Sequence, residues 1–354
     1  MGLTSFWGGR RVFVTGHTGF KGAWLCLWLE KRGATVRAVA LAPETSPSLY
    51  DALSPWPGAD HHVVDIRDRD ALAAQVSDFE PEIILHLAAQ ALVRRSYDDP
   101  VGTYATNVMG TVNLLDAARH VPSIRTVFVV TSDKVYANDG SGRAFVEDDA
   151  LGGADPYSNS KACVELLCQS YRKSFFEECG ITLATARAGN VIGGGDWSGD
   201  RLVPDFIRAL EEERTLPLRY PDAVRPWQHV LEPLGGYLVF AEALTQGGAA
   251  LPTALNFGPA DPQAAVTVAQ LAGQLGRVFG IEDCWQQAPG LWSAEAPALL
   301  LNSALAARAI GWQPRLDRQQ TIDWTAAWYK ANRDGADMRR FSLDQIAVYE
   351  EMSA

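Results

Sequence analysis

Arg11-Val12-Phe13-Val14-Thr15 runs directly into Gly16-His17-Thr18-Gly19-Phe20-Lys21-Gly22. A short β-branched strand gives way to glycines at 16, 19 and 22, and these open an amphipathic stretch from Lys21 to Arg32. Gly16 permits a tight turn, Gly19 lets backbone approach a phosphate, and Gly22 lets the helix pack closely on the sheet. Free N–H groups at the helix start complete an anion site, so a dinucleotide pyrophosphate fits there. Gly16, His17, Thr18, Gly19, Phe20, Lys21 and Gly22 are therefore the first candidate cofactor contacts. Three glycines alone fit a flexible connection equally well; their place after the first strand of a βαβ unit favours the nucleotide.

Outward from that loop the alternation continues. Strands read at Thr35 to Ala40, His62 to Asp65, Glu82 to Ala88, Thr126 to Thr131 and Thr182 to Arg187, with helices at Arg69 to Phe79, Val101 to His120 and Tyr157 to Cys179. The strand runs are nearly all apolar, as parallel strands covered on both faces should be. The expected fold is α/β, a Rossmann-type doubly wound parallel sheet with a smaller C-terminal substrate-binding region. After about Asn190 prolines such as Pro204, Pro217, Pro226, Pro252 and Pro262 break the chain into short elements. A division follows: residues 1–190 bind the nucleotide cofactor and 191–354 mainly bind substrate, with some elements free to return to the first unit. Val266 to Phe279 and Gln319 to Tyr329 read as packing helices, and Gly247 to Ala250 as a loop.

Composition narrows the function. With 354 residues, 47 % hydrophobic and 21 % charged, the chain can bury a large core. A net charge of −11 without any basic block argues against nucleic acid as a partner. No apolar run approaches a bilayer span, and the start has neither a signal-type core nor a myristoylation pattern, so a cytoplasmic protein away from membranes is expected. Cys26, Cys163, Cys168, Cys179 and Cys284 lack metal-binding spacing and read as reduced, with no metal site. Of the 31 basic residues only Lys21, Lys31, Lys134, Lys161, Lys173 and Lys330 are lysine, which makes a lysine inside a motif informative.

Two such lysines fall in motifs. Tyr157-Ser158-Asn159-Ser160-Lys161 puts a phenol and an ammonium on one helical face, where the ammonium should lower the phenol's pKa and make a base for a sugar hydroxyl. Thr131-Ser132-Asp133-Lys134 ends a strand with hydroxyl, acid and amine in succession. If the strand continued, alternation would put Ser132 and Lys134 on one face and Asp133 on the other. The bland reading of Asp133-Lys134 is a structural ion pair. Asp65 with Ile66, then Leu87-Ala88-Ala89, lie at further strand ends and join Thr131 in the candidate cofactor set. The second strand ends Val39-Ala40-Leu41-Ala42-Pro43 without an acid for the adenosine ribose, so Arg37, Thr45 or Ser46 could favour a 2′-phosphate instead.

These motifs, with Arg187-Ala188-Gly189-Asn190-Val191-Ile192-Gly193-Gly194-Gly195-Asp196-Trp197 and Arg225-Pro226-Trp227-Gln228-His229-Val230, resemble the extended short-chain dehydrogenase/reductase family over nearly the whole chain. Within it they are similar to the nucleotide-sugar 4,6-dehydratase branch. The resemblance implies NAD as cofactor and Ser132, Asp133, Lys134, Tyr157 and Lys161 as catalytic residues. It further implies that Gln90, Asn190, Arg201, Arg225 and His229 bind a nucleotide sugar, with CDP-glucose favoured by the Lys134 variant. By the same likeness the helices from Val101 and Tyr157 pair into a homodimer or a dimer of dimers, within a deoxysugar pathway serving O-antigen lipopolysaccharide. Three alternatives stay open: a nucleotide-sugar 4-epimerase, which also oxidises C4, a dehydratase for another nucleoside-diphosphohexose, and a non-catalytic NAD(H)-sensing binding protein.

Overall fold

The computed structural model describes residues 4–259, 265–290 and 299–352; Pro262 lies outside them. Seven parallel strands form the main sheet: β1 (Arg11–Thr15), β2 (Thr35–Ala40), β3 (Ala59–Val63), β4 (Ile83–His86), β5 (Thr126–Val130), β6 (Thr182–Ala188) and β7 (Ala254–Phe257). Their order is β7-β6-β5-β4-β1-β2-β3. Val12, Phe13, Val14, Ile83, Ile84, Val127 and Phe128 are wholly buried because helices cover both faces. The chain leaves β1 toward one edge and returns at β4 toward the other, so a crevice opens between the carboxyl ends of these two strands.

Several elements depart from the sequence reading. β3 starts at Ala59 and ends at Val63, which leaves Asp65 two residues beyond the strand, and β4 ends at His86. The helix expected over Val101 to His120 runs from Pro100 through a π turn at Ala105–Met109 to Ala118, and the next from Pro156 through a second π turn at Arg172–Phe176 to Cys179. β5 stops at Val130, and Asp133–Val135 forms a 3-10 turn capped by the Ser132 hydroxyl, which accepts from Lys134 N. The strand alternation foreseen for Ser132 and Lys134 therefore does not hold.

Beyond residue 190, helices at Leu231–Gly247, Val268–Phe279, Arg318–Arg333 and Met338–Glu351 pack on the sheet and on one another. Leu231–Gly247 is apolar nearly all round, so no amphipathic period marks it. β7 pairs with β6 from Ala254↔Thr185 to Phe257↔Ala188, which completes the cofactor-side sheet with a strand from the second half of the chain. One apolar cluster runs from Phe6 to Tyr349. Trp24 Nε1 donates to the Gly194 carbonyl at 2.9 Å, and a Cβ on Gly194 would lie 1.8 Å from Cγ of Trp328. Gly194→Ala is expected to lower stability by about 1–3 kcal/mol through overpacking, read as a drop in the urea midpoint.

Candidate active site

A cleft of about 2030 Å³ lies over the carboxyl ends of the strands. Its floor is set at the split between β1 and β4. Thr15 Oγ1 sits 2.7 Å from His86 Nδ1 and accepts from Leu87 N and Ala88 N at 3.2 and 3.1 Å. His86 Nε2 is 3.0 Å from Thr111 Oγ1, and burial lowers this imidazole to about 3, so it stays neutral. Gly16 has φ +84° and donates to the Val39 carbonyl at 2.8 Å. A Cβ there would meet Ala88 N at 2.7 Å, and one on Gly22 would meet the Gly16 carbonyl oxygen at 2.0 Å. Backbone alone fits here, which is the cradle a dinucleotide pyrophosphate needs before the helix Phe20–Lys31.

The expected cofactor residues Gly16, Thr18, Gly19, Phe20, Lys21, Gly22, Asp65, Ile66, Leu87, Ala88, Ala89 and Thr131 line this cleft. His17 does not: its ring is buried against His61 at 4.6 Å and Tyr50 at 5.4 Å, and burial lowers its pKa to about 4. Asp65 is gripped by Arg67, whose Nη2 donates to Oδ2 at 2.6 Å. Arg37 is engaged by Asp60 and Asp78 away from the cleft wall, so it does not stand ready for a 2′-phosphate. Thr45 and Ser48 line the cleft, with Glu44 paired to Arg95 at 2.8 Å.

At the other end Ser132, Asp133, Lys134, Tyr157 and Lys161 share the wall. Pro156 begins the Tyr157 helix, with Asp155 as its cap accepting from Ser158 N. Lys161 Nζ donates to the Val130 carbonyl at 3.1 Å. Burial lowers the Lys161 ammonium to about 8, and Glu165 opposes that. Burial pushes the Tyr157 phenol up, against a hydrogen bond with Ser132, while the Asp133 charge adds to the rise. The phenol expected to be lowered by Lys161 is instead raised in the protein alone, because burial outweighs the Ser132 hydrogen bond and the Arg201 charge.

Asp133 is 3 % exposed; Oδ1 accepts from the Ser132 hydroxyl at 3.0 Å, while Oδ2 is buried without a hydrogen-bond partner among the described residues. Burial raises its pKa, and the Lys134 charge partly restores the anion. Lys21 also contributes charge at this end of the cleft, beside Arg201 and Asp133, and burial lowers it to about 8.

Among the expected substrate residues, Gln90, Asn190, Arg201 and Arg225 line the cleft. The Gln90 side chain is engaged, donating to Thr103 Oγ1 at 2.9 Å and accepting from Leu92 N at 2.6 Å. His229 is a correction: it is fully buried between Trp24 and Trp324 and absent from the wall, because its strand Gln228–His229 pairs beneath with Val191–Ile192. Sequence reading missed Arg94, Asp200 and Arg219, which meet at the rim where Asp200 Oδ1 accepts from both arginines at 2.8 and 3.2 Å. Arg94 comes from the short helix Val93–Asp98 and the other two from loops, and no motif links them.

A glycine cradle at the switch point, with a Ser-Tyr-Lys set at the next strand end, defines a dinucleotide-dependent protein of the short-chain dehydrogenase/reductase type. The chain belongs to the NAD dependent epimerase/dehydratase family, whose pattern matches residues 12–256. It is 45 % identical to the CDP-glucose 4,6-dehydratase of Salmonella typhimurium, across 98 % of this chain and 97 % of that one. It is 32 % identical to a dTDP-glucose 4,6-dehydratase of Streptomyces antibioticus, covering 72 % of each. The solved epimerase Mth375 of Methanothermobacter thermautotrophicus superimposes with TM-score 0.82 at 22 % identity over 96 % of both chains. Among the described residues no group of His, Cys, Asp and Glu could hold a metal, and no helix is long and apolar enough to cross a membrane.

The raised Asp133 carboxyl gives a signed prediction. A buried acid whose pKa is raised favours the fold while protonated, and that stability is lost as pH rises through its folded-state value. Asp133→Asn should therefore raise the thermal midpoint at neutral pH, and the gain should shrink in acid. Calorimetry across that range checks the sign.

Proposed function

We propose that this protein converts CDP-glucose to CDP-4-keto-6-deoxyglucose and water, with NAD unchanged overall. The reading is carried by the Ser132-Asp133-Lys134 turn, which puts a buried acid and an amine in the same cleft wall as Tyr157 and Lys161. A 4-epimerase needs the hydroxyl, phenol and lysine but no such acid and base. The 45 % identity with a CDP-glucose enzyme over nearly the full chain supports the same choice and the cytidine nucleotide.

Gly16, Gly19 and Gly22 would hold NAD, which would supply the hydride acceptor for C4 and the same hydride for C6. Tyr157 takes the C4 hydroxyl proton, with Ser132 hydrogen-bonded to its oxygen and the Arg201 charge favouring the anion. The resulting ketone acidifies C5. Lys134 removes the C5 proton, and protonated Asp133 donates to the departing C6 hydroxyl, which leaves as water. Burial suits Asp133 to that task because it keeps the proton on at higher pH than an exposed carboxyl would. Lys134 then returns a proton to C5 as C6 is reduced. Through these steps one sugar must stay in one place, and Asn190, Arg201 and Arg225 in the wall are placed to hold it and its diphosphate.

The helices from Pro100 and Pro156 lie side by side, joined by Tyr104 Oη donating to Asn159 Oδ1 at 2.8 Å. Val101, Met109 and Leu166 are 79 %, 53 % and 55 % exposed, an apolar face suited to the same face of a second copy. This supports a homodimer, and a cytoplasmic place in deoxysugar assembly for surface polysaccharide fits its substrate and product.

Incubation with NAD and CDP-, UDP- or dTDP-glucose, followed by NMR, tests the reaction. The 4-keto-6-deoxy product should form fastest from CDP-glucose, and an epimerised sugar retaining its C6 hydroxyl would reject the proposal. Tyr157→Phe and Lys134→Ala should each lose on the order of 10²–10⁴-fold in turnover. Separately, Met109→Glu with Leu166→Glu should shift the species seen by light scattering from dimer to monomer.

A further inference from the structure

Glu165 stands one helical turn beyond Lys161, and the steps above give it nothing to do. Its carboxylate is nevertheless bonded on every side. Oε1 accepts from Thr131 Oγ1 at 2.5 Å and Arg187 Nε at 2.9 Å; Oε2 accepts from Thr185 Oγ1 at 2.8 Å and Arg187 Nη2 at 2.9 Å. The side chains of the ion pair are 2 % and 3 % exposed. Arg187 reaches further, donating from Nη1 to the Tyr136 hydroxyl at 2.8 Å and to the Glu147 carbonyl at 2.9 Å. Tyr136 Oη in turn donates to Asn256 Oδ1 at 2.7 Å, from β7.

Thr131 immediately precedes the Ser132-Asp133-Lys134 segment, and Tyr136 follows it after Val135. Both ends of the turn are therefore tied to one buried ion pair, one through each partner. Taking two charges out of water costs about as much as their attraction returns, so such a pair is a poor stabiliser relative to apolar packing. What it supplies is fixed geometry, because a bidentate guanidinium–carboxylate contact has a single well-defined arrangement.

We infer that the Glu165–Arg187 pair, acting through Thr131 and Tyr136, positions the Ser132-Asp133-Lys134 turn for the elimination half of the reaction. Both are positioning residues, and the inference rests on the dehydratase reading above. Tyr157 and Lys161 stand on the helix itself, with Asp155 capping it and Lys161 held by the Val130 carbonyl, so C4 oxidation meets these tethers only through the Ser132 hydrogen bond and is slowed less than elimination. Loosening the tethers separates the two halves.

Tyr136→Phe and Thr131→Val each remove one tether and leave the ion pair whole; Glu165→Gln removes the charge that anchors both and also the charge that favours the Lys161 ammonium, so the two tether variants carry the comparison of the halves. With NAD and CDP-glucose, three quantities are followed: product formation, reduced-nicotinamide absorbance during turnover, and solvent deuterium entering C5. Product formation should fall by up to about 100-fold, the loss that a misplacement of about an ångström brings. Reduced nicotinamide should accumulate as C4 oxidation outruns elimination, C5 exchange should slow, and KM should stay within about twofold. Near-parental turnover in both Tyr136→Phe and Thr131→Val would overturn the inference, as would oxidation and elimination slowed equally with no build-up of reduced cofactor. Should the parent protein make no 4-keto-6-deoxy product from any of the three nucleotide sugars, the dehydratase reading falls and takes this inference with it. If Glu165→Gln does not fold, the two tether variants carry the test unaided.

Discussion

The backbone of Gly16 comes so close to that of Ala88 that no side chain can stand between them. This approach is available only where two parallel strands run on in opposite topological directions, as β1 and β4 do. Thr15 fills the gap just beneath, with its hydroxyl shared between His86 and the amides of Leu87 and Ala88. Everything above it inherits that position: the helix start that faces a pyrophosphate, the strand ends that flank a nicotinamide, and the wall where the sugar is worked on.

The second constraint is electrostatic. Lys21, Lys134, Lys161, Arg201 and Arg225 crowd one cleft with Asp133 and Asp196, in a chain whose net charge is −11. Lys21, Lys134 and Arg225 act together on Asp133 within that cleft, and their charge suits a substrate that brings two phosphates with it. Within this set burial acts on each ion according to its sign, lowering Lys21 and Lys161 and raising Asp133 and Tyr157. All four move toward their neutral forms, which suits Asp133 as a proton donor, whereas Tyr157 relies on the Ser132 hydrogen bond and the Arg201 charge to act as a base.

Much of this was legible beforehand, for local reasons. The glycine spacing at 16, 19 and 22, the apolar strand runs, and Tyr157 four residues before Lys161 are short-range patterns, and short-range patterns survive folding. Resemblance to the dehydratases marked Ser132 to Lys134, but not the 3-10 turn that presents them, since nothing in those residues forbids one more strand position. His229 looked like a ligand because it lies in a recognisable string; its strand pairs beneath the cleft, and only tertiary placement reveals that. Leu231–Gly247 went unseen because a helix buried on all sides has no periodicity to read. Arg94, on the helix Val93–Asp98, meets Asp200 and Arg219 from loops more than a hundred residues further on, so no window along the chain contains all three.

β7 carries a consequence for how the chain is made. The edge of β6 has its hydrogen-bonding partner only once residues Ala254–Phe257 emerge, well after the other six strands have been synthesised. During that interval a nascent chain on the ribosome presents an unpaired, apolar strand border, the kind of surface that recruits neighbouring strands from other molecules. Slow translation between residues 190 and 254 would lengthen the exposure, whereas a chaperone shielding that border would shorten it.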